Sequence, residues 1–148
     1  TEEAFKLMKE KGVALCATLA AGDAIEQYRG WKKGSDPEPA RIMAKKKSFQ
    51  LALQARVTIC MGGDVGVYPH GENARELELM VEYGMKPIDV LRSATSVNAD
   101  VFGYAGKIGR IQKGLLADII AVEGDPSSDI KTTRNVKLVM KDGKIYKQ

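Results

Sequence analysis

The stretch from Val57 to Met80, VTICMGGDVGVYPHGENARELELM, constrains this chain more than any other. Val57 to Met61 is a short run rich in β-branched side chains, which suits a buried strand. Gly62, Gly63 and Asp64 follow, then a loop that holds the only histidine of the sequence, His70. After Asn73 the spacing turns helical, with Leu77, Met80 and Val81 recurring along one face. The order is strand, Gly-Asp, polar loop, helix. In α/β proteins ligands bind where strands end and helices begin, because loops there project polar groups from a rigid base.

The flanking sequence extends this pattern. Thr1 to Lys11 reads as a helix with acids in its first turn and lysines in its last, and Gly12 ends it. Val13 to Thr18 is an apolar run suited to a buried strand. Leu19 to Ser35, with several glycines, Tyr28 and the only tryptophan, reads as a loop with at most a helical turn. Trp31 has two readings there, a cover over one end of the core or a pocket wall. Asp36-Pro37 signals a helix start, and the helix is expected to run to about Ala55 with Met43, Phe49, Ala52 and Leu53 inward. Asn73 and Glu76 have the spacing of a capping box. A further helix is expected from Pro87 to about Phe102. Helices alternating with strands in this way predict parallel strands joined by crossover helices.

From Gly103 the texture changes. Short runs punctuated by glycines lead to a strand over Leu116 to Val122 and a turn at Gly124-Asp125-Pro126. Val136 to Lys141 and Lys144 to Lys147 flank Asp142-Gly143, a hairpin signal. The expected division places residues 1–104 in one segment and 105–148 in a small β-rich domain.

Composition narrows the function classes. With 23 basic and 19 acidic residues mostly interspersed, the net charge of +4 forms no extended basic surface. Lys45-Lys46-Lys47 reads as a solvated helix face, so no nucleic-acid partner is expected. No run reaches the ~18 apolar residues of a membrane span, and neither a membrane partner nor a signal peptide is expected. The chain opens on Thr1 rather than methionine, so an upstream start is expected. Cys16 and Cys60 read as buried free thiols, which fits a cytoplasmic location. One histidine and two dispersed cysteines cannot build a complete catalytic zinc site, which takes about three protein ligands.

Two residues carry the chemistry. Asp64, at a strand's carboxyl end, can ligate a metal through oxygen or accept a proton from an activated water. The alternative is an aspartate that caps a turn through its own backbone. His70, in Pro69-His70-Gly71, can bind substrate or move protons, or it is a surface residue ahead of the helix. Glycines 62, 63 and 66 form no phosphate loop, since no GKS or GKT follows. Ser93, Thr95 and Ser96 have no neighbouring histidine for a hydrolase triad.

GGDVGVYPHGENARELELMVEYGMKPIDVLRSAT resembles the last barrel strand and following helices of the amidohydrolase superfamily. The subgroup it is similar to comprises imidazolonepropionase-like and Xaa-Pro dipeptidase (prolidase-like) metal-dependent hydrolases. GKIGRIQKGLLADIIAVEGDPSSDI and VKLVMKDGKIYK resemble the small β-domain that closes those proteins. The resemblance implies an α/β fold: the last two βα units of a TIM (β/α)8 barrel, then a small β-rich domain. It implies a divalent metal, most often zinc, with Asp64 as metal ligand and proton shuttle in hydrolysis of a C–N amide bond. It places His70 in a His-Gly segment that contacts a small amide or dipeptide substrate.

The family's His-x-His, its bridging lysine or glutamate and two later histidines have no counterpart here. A full barrel needs about 250 residues. The expected partner is therefore the missing N-terminal part of the barrel, with a homo-oligomer as another. Alone, the chain is expected to be inactive and to self-associate or be partly disordered. The competing class is a non-catalytic β-rich binding or assembly module derived from an amidohydrolase.

Overall fold

Thr1 caps the first helix, α1 (Glu2–Glu10), its hydroxyl accepting the Ala4 N–H at 3.3 Å. Glu2 and Glu3 complement the positive helix start, and Gly12 leaves the helix at φ +65°, a backbone that suits glycine. The computed structural model describes residues 1–148, which form two compact units, Thr1–Met85 and Lys86–Gln148.

In Thr1–Met85, β1 (Leu15–Cys16) and β2 (Ile59–Cys60) pair in parallel, with Leu15 opposite Ile59 and Cys16 opposite Cys60. The expected parallel pairing is present, but far fewer residues are laddered than the apolar runs suggested. Each strand has a partner on one side only. Between them run α2 (Leu19–Tyr28) and α3 (Ala40–Gln54), and α4 (Ala74–Glu82) follows β2. Phe5 of α1, Leu19, Ala20 and Ala24 of α2, Ile42, Phe49 and Ala52 of α3 and Leu79 and Met80 of α4 make the core. Phe49 meets Tyr83 edge-on at 6.4 Å between ring centroids.

Several expectations need correction here. Leu19–Tyr28 is a full helix rather than a loop, because its alanines and Leu19 bury against α3 and α4. Tertiary burial outweighs the helix-weakening Gly22. On α3 the inward residue beside Phe49 and Ala52 is Ile42, while Met43 is exposed. Cys60 is buried, but Cys16 is exposed; both are free thiols. Trp31 is half-buried, and its indole N–H is enclosed with no protein acceptor.

In Lys86–Gln148 the helix expected from Pro87 breaks into α5 (Pro87–Ala94) and α6 (Ser96–Val101). At the break the Thr95 hydroxyl turns back to the Leu91 carbonyl at 2.7 Å, a bond that competes with the helix ladder. Gly109, at φ +88°, presses on the Thr95 carbonyl, and a Cβ there would lie 2.8 Å from that oxygen. β3 (Ile119–Val122), β4 (Val136–Lys141) and β5 (Lys144–Lys147) form an antiparallel sheet in that order. Asp142 (φ +49°) and Gly143 (φ +75°) turn the β4–β5 hairpin, both left-handed as a two-residue I′ loop requires. Asp118 braces the turn, accepting the Asp142 N–H at 2.8 Å and the Lys141 ammonium. Lys141, with the Asp142 N–H, holds the Asp118 carboxyl below its ordinary range.

Candidate functional site

The site begins where β2 ends. A Cβ on Gly62 would stand 2.4 Å from Cys16 Sγ, and one on Gly63 would stand 2.0 Å from Tyr68 Oη. At Gly63 the buried Tyr68 leaves no room for a side chain, whereas at Gly62 the exposed Cys16 sulfur would have to turn aside. Asp64 follows at φ +57°, a left-handed backbone that aspartate tolerates better than most residues. Its carbonyl accepts the Val67 N–H at 3.3 Å, closing a turn that leaves the side chain exposed. The strand end, two glycines and a tight turn together fix where the backbone of Asp64 stands.

Behind the turn lies Tyr68, 2% exposed. Its ring carries the Arg75 guanidinium 5.9 Å from the centroid, a cation–π contact. Its hydroxyl has no hydrogen-bond partner, and burial, reinforced by the charge of Glu76, pushes its ionisation upward. His70 lies further along the same loop, exposed, in a turn closed by the Glu72 N–H to the Pro69 carbonyl at 3.3 Å.

Glu76 departs most from expectation. Asn73 makes no side-chain cap, and Glu76 does not reach back to it. Its carboxylate, buried with the rest of the side chain, accepts the N–H groups of Leu19 at 3.0 Å and Ala20 at 2.6 Å. An acid on α4 therefore caps α2 from 57 residues away, where Thr18 itself gives no side-chain cap. Burial raises the Glu76 carboxyl, and the two N–H bonds and the Lys45 charge pull it partly back. Asp23 on α2 completes the brace. It is 1% exposed, accepts Gln27 Nε2 at 2.8 Å and Arg75 Nε at 3.0 Å, and has Lys33 Nζ 3.6 Å away.

The brace holds α2 over the strand end and leaves a cleft of about 160 Å³. Asp64 lines it with Thr18 and Ile25 from the β1–α2 side, Arg41 and Lys45 from α3, and Val67; His70 is not in its wall. No group of three or more His, Cys, Asp and Glu side chains converges in the chain. Asp64 suits a hard or borderline cation as one oxygen ligand. The residues present fit one ligand of a metal site, not the whole set.

A strand-end carboxylate in a parallel α/β unit defines a class of protein broadly. Comparison narrows it: residues 3–146 match the model of the amidohydrolase family, and the chain belongs to that family. Family members generally use divalent metals. The chain is 36% identical over 155 residues to ochratoxinase of Aspergillus niger, covering 99% of this chain and 32% of that protein. A crystal structure of a Xaa-Pro dipeptidase with bound methionine in the active site superposes with a TM-score of 0.84 at 35% identity. That match covers 99% of this chain and 37% of the dipeptidase. A prolidase complexed with N-methylphosphonate-L-proline superposes with a TM-score of 0.79 at 26% identity, covering 100% of this chain and 38% of that one. The likeness is to a C-terminal portion of these hydrolases, and the chain spans about a third of their length.

Proposed function

We propose that this chain forms one wall of an amidohydrolase centre that cleaves a C–N amide bond with water activated by a divalent metal, most often zinc. The observation that carries the reading is the placement of Asp64, fixed on a left-handed turn at the end of a parallel strand. The likeness to ochratoxinase and Xaa-Pro dipeptidase supports it. In this reading β1 and β2 are strands seven and eight of a (β/α)8 barrel. Residues 1–104 belong to the barrel and 105–148 to the small β-rich domain.

A divalent metal, when bound, acidifies water and polarises the carbonyl under attack. Asp64 would give it one oxygen ligand, take the proton the water loses, and hand that proton to the departing nitrogen. Water oxygen then ends on the acyl carbon and the nitrogen leaves as a neutral amine. His70 would contact a small amide or dipeptide from the loop. The other ligands come from the N-terminal part of the barrel, in a cytoplasmic setting that suits two free thiols.

The test is Asp64→Asn in a complete barrel that carries this chain. The expected loss in kcat is at least about 100-fold, with the protein still folded by circular dichroism. Unchanged kcat would sink the assignment. His70→Ala is expected to raise KM severalfold in the same assay.

A further inference from the structure

Cys16 and Cys60 are the only cysteines of the chain, and folding brings them together. They are direct partners in the parallel pairing of β1 with β2. Neighbouring strands stand ~4.8 Å apart, inside the ~4.4–6.8 Å between Cα atoms that a disulfide spans. A Cβ on Gly62, just beyond Cys60, would stand 2.4 Å from Cys16 Sγ. The Cys16 sulfur therefore leans across towards β2, into space that the glycine leaves. Access is divided between the two: Cys16 is exposed as a residue, and Cys60 is buried. The Cys16 sulfur, lying against β2, still loses part of its water. That burial, and then the Cys60 thiol within hydrogen-bond contact, push the Cys16 thiol up to about 11. Neither sulfur is used by the hydrolytic chemistry assigned to Asp64.

We propose that Cys16 and Cys60 are a dithiol oxidation site, which a hydroperoxide converts to a disulfide that staples β1 to β2 at the strand end leading to Asp64. The Cys16 sulfur, as its thiolate, attacks one oxygen of hydrogen peroxide. The O–O bond breaks, and the departing hydroxide takes up the thiol proton as water. The Cys60 sulfur then attacks the Cys16 sulfenic acid. An S–S bond forms, the S–O bond breaks, and the Cys60 proton leaves with that oxygen as a second water. Two thiols lose two electrons, and one peroxide gains them. A thiol held above its ordinary range supplies little thiolate and is a poor leaving group. The pair is thus slow to oxidise and its disulfide slow to reduce, which suits a lasting staple rather than a rapid sensor. The β1–β2 ladder spans two residues on each strand and has no further strand beside it, so a covalent tie reinforces its weakest feature. The loop it closes carries α2 and α3.

The experiment is oxidation of the reduced 148-residue chain with a small excess of hydrogen peroxide, followed by intact mass, thiol titration and peptide mapping. Expected are loss of the mass of two hydrogens, no free thiol, and a peptide pair joined through Cys16 and Cys60 of one chain. In urea the oxidised chain should unfold at a midpoint about 1 M higher than the reduced chain at equal protein concentration. Dithiothreitol should restore the lower midpoint. Cys60→Ser should stop the reaction at a Cys16 sulfenic acid, trapped by dimedone, with no link within the chain. Thiols that stay free, chains joined only to one another, or Cys16 carried on to sulfinic acid beside a free Cys60 would each overturn the proposal. So would a link within the chain that leaves the midpoint unchanged or lowers it. Mapping and midpoint are read on the unaltered chain, so they decide even where Cys60→Ser, at a buried position, fails to fold. No turnover is read, and the Asp64→Asn test of the hydrolase reading stands on its own.

Discussion

Glu76 is a residue whose local pattern was misleading. Its spacing from Asn73 suggested a capping box, yet Leu79 and Met80, three and four residues on, are buried on the same helix face. A glutamate among inward residues needs a buried partner, and that partner is the start of α2. Replacing it by alanine orphans two buried N–H groups, so Glu76→Ala should destabilise the chain by about 1–3 kcal/mol in urea unfolding. The sign of its pH effect follows from burial. A carboxyl raised in the folded state binds its proton more tightly there than when unfolded. Stability should therefore fall as pH rises from the ordinary carboxylate range, about 4.3, through the raised folded value, and level off above it. Glu76→Gln should remove that fall; an unchanged pH profile would refute the assignment.

Gly63 poses a second residue-scale test. Its φ lies outside the left-handed region, so the backbone admits alanine and only the Tyr68 hydroxyl forbids it. Gly63→Ala should cost about 1–3 kcal/mol from overpacking. Tyr68→Phe, which removes a hydroxyl without a partner, should be near neutral alone and recover most of that loss in the double variant. Additive losses in the cycle would mean that the contact is not what excludes the side chain.

Among the elements, the β4–β5 hairpin is found where the residues place it, whereas α3 starts at Ala40 rather than at the Asp36-Pro37 signal. The Asp142-Gly143 hairpin is legible because two left-handed residues in sequence have few alternatives. Gly143→Ala at φ +75° should cost about 1–2 kcal/mol, read as a lower melting temperature; no loss would argue against the I′ turn. Helix α2 was illegible for the converse reason. Its Gly22 and its buried Asp23 and Glu26 weaken the helical pattern, and the partners that reward it lie on α3 and α4. Lys45 shows the same limit within a helix that was foreseen. Taken locally it belongs to a solvated basic run, but folding places it in the wall of the Asp64 cleft.

At the scale of the molecule, the two-stranded sheet of Thr1–Met85 leaves one edge of β1 and one of β2 without a strand. Unpaired edges recruit other chains. The isolated polypeptide should therefore sediment as a concentration-dependent oligomer and show no zinc-dependent amidase activity. A stable monomer at all concentrations would contradict the first expectation, and hydrolysis the second.

By itself the sequence determined the α/β alternation, the parallel pairing that ends in Gly-Asp, the β-rich tail and the resemblance to amidohydrolases. These rest on periodicity, turn chemistry and motif spacing, all of which act over a few neighbouring residues. Only the tertiary structure decided that Glu76 caps a helix 56 and 57 residues away, that Asp23 and Arg75 brace it, and that Arg41 and Lys45 line the same cleft as Asp64. Those contacts join side chains far apart in the chain. Their energy comes from burying and pairing charge, which a local pattern does not encode.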